Sequence, residues 1–494
     1  MSSLQRLEAI GILCLIIMAA PFSISSQEDS NDIDALFEDE IVVQQDRETS
    51  SQKESQDSLN RQTNPLQSFL KTETVKIGGS ISGTVQSSWQ WNDPWTAGFD
   101  LVDPDSQKLK PDLNSLVYFD ARPQEDFRVH GSFKTAWPFS ETKSLLDSVT
   151  LITISDPDTI TTTSKSITVP DIRIFELFSD FQLGEAAYMR FGKATVKWGV
   201  GYFFSPADII NLESINILDP TAQREGPLQF RVFIPYGPSQ NTLSFYTIFD
   251  TDNPDFENTA LAAKAEFLLG NYELGLSAYY RYDTTERAAL TLTGPIWNLD
   301  VFAEGVIARG SPKTFYKSFQ SSYPYYNEIS SDDIRNTLYP SATIGFLYNN
   351  PNSNFTAIAE YYFNGEGYSD ADRAALFNSY ESQQAGVRNL ILYSIATGNL
   401  KSFPFLSGQH YGAASISFSE IGGSDFSISA LGIMNFSDIS GFAQPTVSWE
   451  IADYLKLSIF STFIFGADST EYGFLGRGRP VTIGIKLSAG TGNF

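Results

Sequence analysis

From Val75 to Trp91 the chain alternates. Val75, Ile77, Gly79, Ile81, Gly83, Val85, Ser87, Trp89 and Trp91 fall on one parity, and Lys76, Ser80, Ser82, Thr84, Gln86 and Gln90 on the other. A period of two belongs to a β-strand with one apolar and one wet face. About 9–11 residues of tilted strand cross a bilayer, so a run this long crosses and protrudes, and it reads as a barrel stave rather than a sandwich strand.

The pattern recurs at 115–121, 127–139, 171–183, 187–198, 228–235, 242–249, 260–269, 272–282, 288–294, 297–308, 340–348, 355–363, 411–418, 425–436, 442–451, 455–465 and 480–487. The clearest repeats set Tyr272, Leu274, Leu276, Ala278, Tyr280 and Tyr282 against Glu273, Ser277 and Arg281, and Leu455, Leu457, Ile459, Ser461, Phe463 and Phe465 against Lys456, Ser458 and Thr462. The fold class is therefore all-β, an antiparallel up-and-down transmembrane barrel of about 18 strands (16–18). Connections rotate between brief turns, such as Leu183-Gly184-Glu185, Asn350-Pro351-Asn352-Ser353 and Asp453-Tyr454, and mostly longer ones. Brief turns belong on the periplasmic side and long loops outside, which places both termini of an even-stranded barrel in the periplasm. Trp89, Trp91, Trp137, Phe139, Tyr280, Tyr282, Phe363, Phe436, Phe463 and Phe465 lie near the outer ends of outward-running strands, as an interfacial girdle requires. A soluble β-propeller is the alternative, and it has no reason to sort aromatics by strand direction.

Composition agrees. In 494 residues, 14% are aromatic and only 18% charged, which fits neither a disordered chain nor a helical membrane protein. The one long apolar run, Ala9 to Ile24, follows Arg6 and precedes Ser23-Ile24-Ser25, the layout of a secretory signal comprising residues 1–25. It contains the sole cysteine, Cys14, so the mature chain is expected to carry no thiol. Residues 26–73, rich in Ser, Gln, Asp and Glu, are expected to form a disordered acidic periplasmic segment ahead of a barrel domain at 74–494. A formal charge of −25 excludes nucleic acid as a partner, because phosphates demand basic faces.

Chemistry concentrates between Arg190 and Pro227. Arg190-Phe191-Gly192-Lys193 leads into Trp198-Gly199-Val200-Gly201, then Ser205-Pro206-Ala207-Asp208, Asp219-Pro220 and Arg224-Glu225-Gly226. Ser205 and Pro206 have the N-cap and first-turn signature of a short helix. A third external loop bearing Arg, Lys, Asp and Glu can fold into the lumen and narrow it, or pack on itself at the surface. The stretch resembles large porin-like barrels of diderm bacteria, of which the alginate-export type is one. There an Arg-x-Gly-Lys strand runs into Trp-Gly-x-Gly and a loop carrying Asp-Pro and Arg-Glu. Asp34-Ala35-Leu36-Phe37-Glu38-Asp39-Glu40-Ile41-Val42 is similar to the segment just after the signal in spirochaete outer-membrane proteins. Phe494 resembles the terminal aromatic by which barrel-assembly machinery recognises its substrates. Its parity departs from that of Val481, Ile483, Ile485 and Leu487 unless a bulge at Gly490 or Gly492 resets the register.

Polar parities supply Arg128, Lys134, Arg190, Arg231, Lys264, Arg281, Lys456 and Lys486 against Asp120, Glu176, Glu266, Glu273, Asp300, Glu304, Glu360 and Glu450. Unpaired charges in a dry interior would cost several kcal/mol each, so these charges suit an aqueous path or, alternatively, a plug of paired ions. The residues expected at a constriction are Arg190, Lys193, Lys197, Asp208, Asp219, Arg224, Glu225, Arg281 and Glu304. Histidine occurs only at His130 and His410, with no phosphate loop or metal spacing, so no enzyme and no cofactor are expected. The function expected is an outer-membrane pore for small polar solutes, embedded in outer-membrane lipid. The alternatives are a binding protein displayed through 310–338 and 364–410, or a transporter of hydrophobic solutes. Whether three barrels associate as a homotrimer is left open.

Overall fold

The computed structural model describes residues 75–98, 100, 102–124, 126–146, 164–183, 187–211, 215–218, 220, 224–236, 241–251, 254–282, 284–311, 337–371, 373, 408–467, 470–476 and 479–490. The signal expected at 1–25, the acidic segment expected at 26–73, Asp219 and Phe494 lie outside them. Eighteen strands form: β1 (Val75–Trp91), β2 (Ser106–Gln124), β3 (Phe127–Leu146), β4 (Ser164–Leu183), β5 (Ala187–Lys193), β6 (Leu228–Tyr236), β7 (Asn241–Phe249), β8 (Ala260–Leu269), β9 (Tyr272–Arg281), β10 (Glu286–Ile296), β11 (Leu299–Arg309), β12 (Leu338–Asn350), β13 (Phe355–Phe363), β14 (His410–Phe418), β15 (Phe426–Asn435), β16 (Ser440–Ala452), β17 (Leu455–Phe465) and β18 (Val481–Gly490). Each pairs antiparallel with its sequence neighbours, and β1 pairs with β18 from Ser82↔Gly490 to Trp91↔Val481, so the sheet is closed and keeps no edge.

The apolar parity points outward. Ile77, Ile81 and Val85 on β1, and Ile344 and Phe346 on β12, are exposed large hydrophobics. On β12 the outward row runs from Leu338 to Tyr348, about 33 Å of strand, or about 23 Å of height at a 45° tilt. That height matches the apolar band of a membrane barrel. At the turn end the band is edged by exposed Tyr236, Trp297, Trp449 and Tyr454, and at the loop end by Trp137, Tyr280, Tyr282 and Phe465. His410 belongs to this outer surface, its Nδ1 2.7 Å from the Tyr361 hydroxyl. Trp91 departs from the expected girdle: it is buried and donates its indole N–H to the Asp100 carbonyl.

Several strands outrun the alternating segments that announce them. The segment at 115–121 becomes Ser106–Gln124, and β3 and β4 continue pairing through Leu146↔Ser164. Apolar alternation is needed only where lipid touches the stave, whereas the hydrogen-bonded ladder continues through any extended pair. The segment at 187–198 is shorter than expected: β5 ends at Lys193, and Lys197 belongs to the following connection. β18 pairs with β1 and β17 in unbroken register to its end, so no bulge forms at Gly490.

Candidate functional site

The described residues of the connection between β5 and β6 (194–211, 215–218, 220 and 224–227) leave β5 and turn into the lumen. The connection's two legs are pinned together at the root: Ala194 N–H donates to the Pro227 carbonyl (3.3 Å), the Thr195 hydroxyl to the Arg224 carbonyl (2.5 Å), and Lys193 pairs with Glu225. Thr195 N–H reaches Glu176 on β4 (3.1 Å), and Gln229 on β6 donates to the Ala194 carbonyl (2.9 Å). Farther in, Asn211 accepts from Val196 N–H (3.0 Å), donates to its carbonyl (2.5 Å) and donates to Asp208 (2.8 Å); Asp208 pairs with Arg224. Burial pushes the Asp208 carboxyl up, against the pull of Arg224. The loop is thus cross-braced before it touches the wall.

It then follows the inner wall. Val196, Trp198 and Ile210 pack on Tyr246 of β7 and Ala262 of β8, with the Trp198 and Tyr246 rings edge-on at 5.4 Å. Ala207 packs on Ala289 of β10 and Val306 of β11. Phe203 and Phe204 join Ile358 of β13, Tyr411 and Ala413 of β14, Ile433 of β15 and Tyr472. In a ring of 18 strands β15 lies opposite β6, so a loop rooted on β5 and β6 traverses half the circumference.

Two wall carboxylates hold it there. Glu304 of β11 accepts from Val200 N–H (2.5 Å), Gly201 N–H (2.7 Å), the Ser205 hydroxyl (2.8 Å) and Ala207 N–H (2.9 Å). Glu360 of β13 accepts from Tyr202 N–H (3.0 Å), Phe203 N–H (2.7 Å), Phe204 N–H (3.1 Å) and the Thr343 hydroxyl of β12 (2.7 Å). A carboxylate has roughly four lone-pair sites: each oxygen of Glu360 accepts two bonds, whereas Glu304 Oε1 accepts three and Oε2 one. Both groups are buried and, among the described residues, neither is within ion-pair distance of a cation, so backbone dipoles neutralise them. The glycines of Trp198-Gly199-Val200-Gly201 make this approach feasible: a Cβ on Gly199 would meet Ser205 Oγ and Glu304 Oε1, and one on Gly201 the Phe204 carbonyl. The helix expected from Ser205 does not form. Its hydroxyl is bonded to Glu304 instead of capping, and Ser205-Pro206-Ala207-Asp208 is a turn closed by Asp208 N–H to the Ser205 carbonyl (3.1 Å).

The arc from β17 through β18 to β6 carries the charge. Its inward side chains include Lys456, Lys486, Lys76, Lys108, Lys110, Arg122, Arg128, Lys134, Arg173, Arg190 and Arg231 against Asp112, Asp120, Asp171, Glu176 and Asp180. The carboxylates orient guanidiniums: Asp120 pairs with Arg128 (2.5 Å) and Arg122 (3.7 Å), and Asp180 with Arg190 (2.7 Å) and Arg128 (3.6 Å). Arg190 also lies 3.8 Å over the Phe178 ring. A net cationic wall therefore stands in a protein whose formal charge is −25.

At the loop end, the short helix α1 (Glu471–Gly476) closes over β14–β17. Glu471 accepts from the Tyr411 hydroxyl (2.6 Å) and Asn435 (2.7 Å), while Arg373 pairs with Asp438 (2.5 Å). Burial, and then the Glu471 and Asp438 carboxylates, push the neighbouring Tyr472 phenol far up, so it stays neutral.

Of the residues expected at a constriction, Arg190 lines the charged arc, and Lys197 is exposed between wall-packed Val196 and Trp198. Asp208, Arg224 and Glu304 are brought together as the loop's internal and external fastenings. Lys193 shares the outward parity of Phe191 and pairs with Glu225 at the loop root. Arg281 sits at the rim on Asp250 (2.9 Å) and Asn258 (3.2 Å). Sequence reasoning placed Glu360 on the wet parity without assigning it a role, gave Ser205 a helix-capping role instead of a bond to Glu304, and missed Asn211 and Thr343. A signal existed: Glu304 lies between inward Phe302 and Val306, and Glu360 between inward Ile358 and Tyr362, and a lone carboxylate in an apolar row needs donors from elsewhere.

No protein-family model and no curated protein sequence matches the chain. Among solved structures, the barrel is similar to OccK11 (OpdR) of Pseudomonas aeruginosa, with 7% identity over 84% of this chain and 95% of that chain and a TM-score of 0.45. It is also similar to the outer-membrane protein opdK of the same organism, with 9% identity over 85% and 99% and a TM-score of 0.42. OccAB1 of Acinetobacter baumannii shows 11% identity over 84% and 96%, with a TM-score of 0.43.

Proposed function

We propose that the protein is an outer-membrane pore for small polar solutes, of the porin-like kind that the Arg190 to Arg224 segment resembles, with the loop at 194–227 as its constriction. The observation that supports this most is the fastening of that loop by Glu304 and Glu360 along one half of the inner wall, beside an opposite half lined with charged side chains. A barrel meant only as an anchor has no need of buried carboxylates that hold a loop inside it. Because cations outnumber carboxylates along the remaining arc, anions are the favoured permeants; the fixed field raises their local concentration and is screened by salt.

The test is a planar-bilayer recording of the refolded protein across a tenfold KCl gradient. Discrete steps with a reversal potential of the chloride sign support the reading. A folded but silent barrel contradicts it.

A further inference from the structure

The inner wall of β14–β17 differs from the charged arc. In register across these strands, Ser417, Ser429 and Thr446 form one row, and Ser427, Ser448 and Ser458 the next. No charged side chain of these strands enters this face until Glu450, opposite Lys456 at the turn end. Between this wall and the loop lies a cavity of about 240 Å³, faced on the wall by Ser415, Ser429, Gln444 and Thr446 with Ala430 and Leu431 among them, and on the loop by Tyr202, Phe203, Leu218 and Pro220. Among the described residues, the hydroxyls of Ser415, Ser429 and Thr446 make no hydrogen bond to the protein, whereas Ser448 and Ser458 bond each other at 2.9 Å. The free hydroxyls therefore face the cavity with their donors and acceptors unspent. The apolar side is fixed in place, because Glu360 holds the backbone of Tyr202, Phe203 and Phe204.

We infer that this cavity is a subsite for a neutral polyhydroxylated solute, a sugar or polyol, bound by Ser415, Ser429, Gln444 and Thr446 on one face and by the Tyr202-Phe203 segment on the other. The inference rests on the pore reading and adds a solute class to it. An ionic solute would leave water for a face on which the described lining residues carry no counter-charge, at a cost of several kcal/mol. An apolar solute would strip water from hydroxyls and leave them unbonded, at about 1–3 kcal/mol each. A hydroxylated ring avoids both penalties. Its hydroxyls meet groups that donate and accept, and its C–H face meets Phe203, Leu218 and Pro220. The cationic arc and this neutral arc then offer different solutes different tracks through one lumen.

The experiment uses single channels of the full chain in KCl, with glucose as the probe and gluconate as the charged comparison. Glucose should interrupt the wild-type current in a saturable manner. A variant carrying Ser415→Ala, Ser429→Ala and Thr446→Val should need about tenfold more glucose for half-block, the loss of one or two hydrogen bonds. Its KCl conductance and its response to gluconate should be unchanged. Thr446→Val alone, which preserves shape, should shift the glucose curve in the same direction and serves if the triple variant does not refold. Normal KCl steps with no saturable glucose block, or with identical block in the variants, overturn the subsite and leave the pore intact. Absence of KCl steps overturns both.

Discussion

Replacing Glu360 by Gln changes no volume and removes one acceptor oxygen from beneath the loop. A glutamine carbonyl accepts about two hydrogen bonds, and its amide points donors at donors. Of the four groups now bonded to Glu360, the Thr343 hydroxyl has the Tyr361 carbonyl as a second acceptor (2.9 Å), so one or two of the three loop N–H groups lose their acceptor while still buried. Each orphaned donor costs about 1–3 kcal/mol, so docking of the loop weakens by roughly 1–6 kcal/mol. At about 1.4 kcal/mol per tenfold, the ratio of undocked to docked loop rises by roughly 5-fold to 20,000-fold. The barrel ladder is untouched, since the side chain points inward from β13 and makes no strand-pairing bond. Two readouts report on undocking: open-channel current noise and mean conductance, which should both rise, and tryptic cleavage at Lys197 or Arg224 in folded protein, which should accelerate. Wild-type noise and wild-type cleavage in a correctly folded E360Q barrel would refute the clamp.

Gly199→Ala places a Cβ about 2.6 Å from Glu304 Oε1 and should weaken docking by about 1–3 kcal/mol, seen as faster tryptic cleavage; Gly305→Ala, where a Cβ meets open space, should change nothing. Arg190→Gln removes a cation from the charged arc and leaves Asp180 less compensated, so the reversal potential in a KCl gradient should move toward zero. Tyr411→Phe deletes the hydroxyl that donates to Glu471 and accepts from Gly408 N–H (2.6 Å), and should lower the melting temperature by an amount equivalent to about 1–3 kcal/mol.

Strand number and parity could be read from the chain because the bilayer imposes alternation on every stave, and a one-residue slip would turn Ile77, Ile81 and Val85 inward. Strand ends were less legible. β2, β3 and β4 continue past the lipid, where pairing needs no apolar partner and Lys108 and Lys110 serve as well as valine. The loop was the harder case. Arg190, Lys197 and Asp208 stand out as charges, yet the residues that position the loop are Glu304 and Glu360, more than a hundred positions from some of the N–H groups they accept. Backbone donors carry no sequence signature. Ser205 shows how this misleads: its N-cap pattern is sound locally, but a buried carboxylate on β11 competes for the same hydroxyl and wins.

The most direct test of a loop-narrowed pore is single-channel conductance of the refolded protein with and without the loop, residues 196–226 being replaced by a short glycine–serine turn from Thr195 to Pro227. A loop lying inside the lumen along half of its wall predicts that the shortened barrel conducts in larger steps and loses saturable block by glucose. Equal step sizes in the two proteins would mean that the loop does not narrow the path.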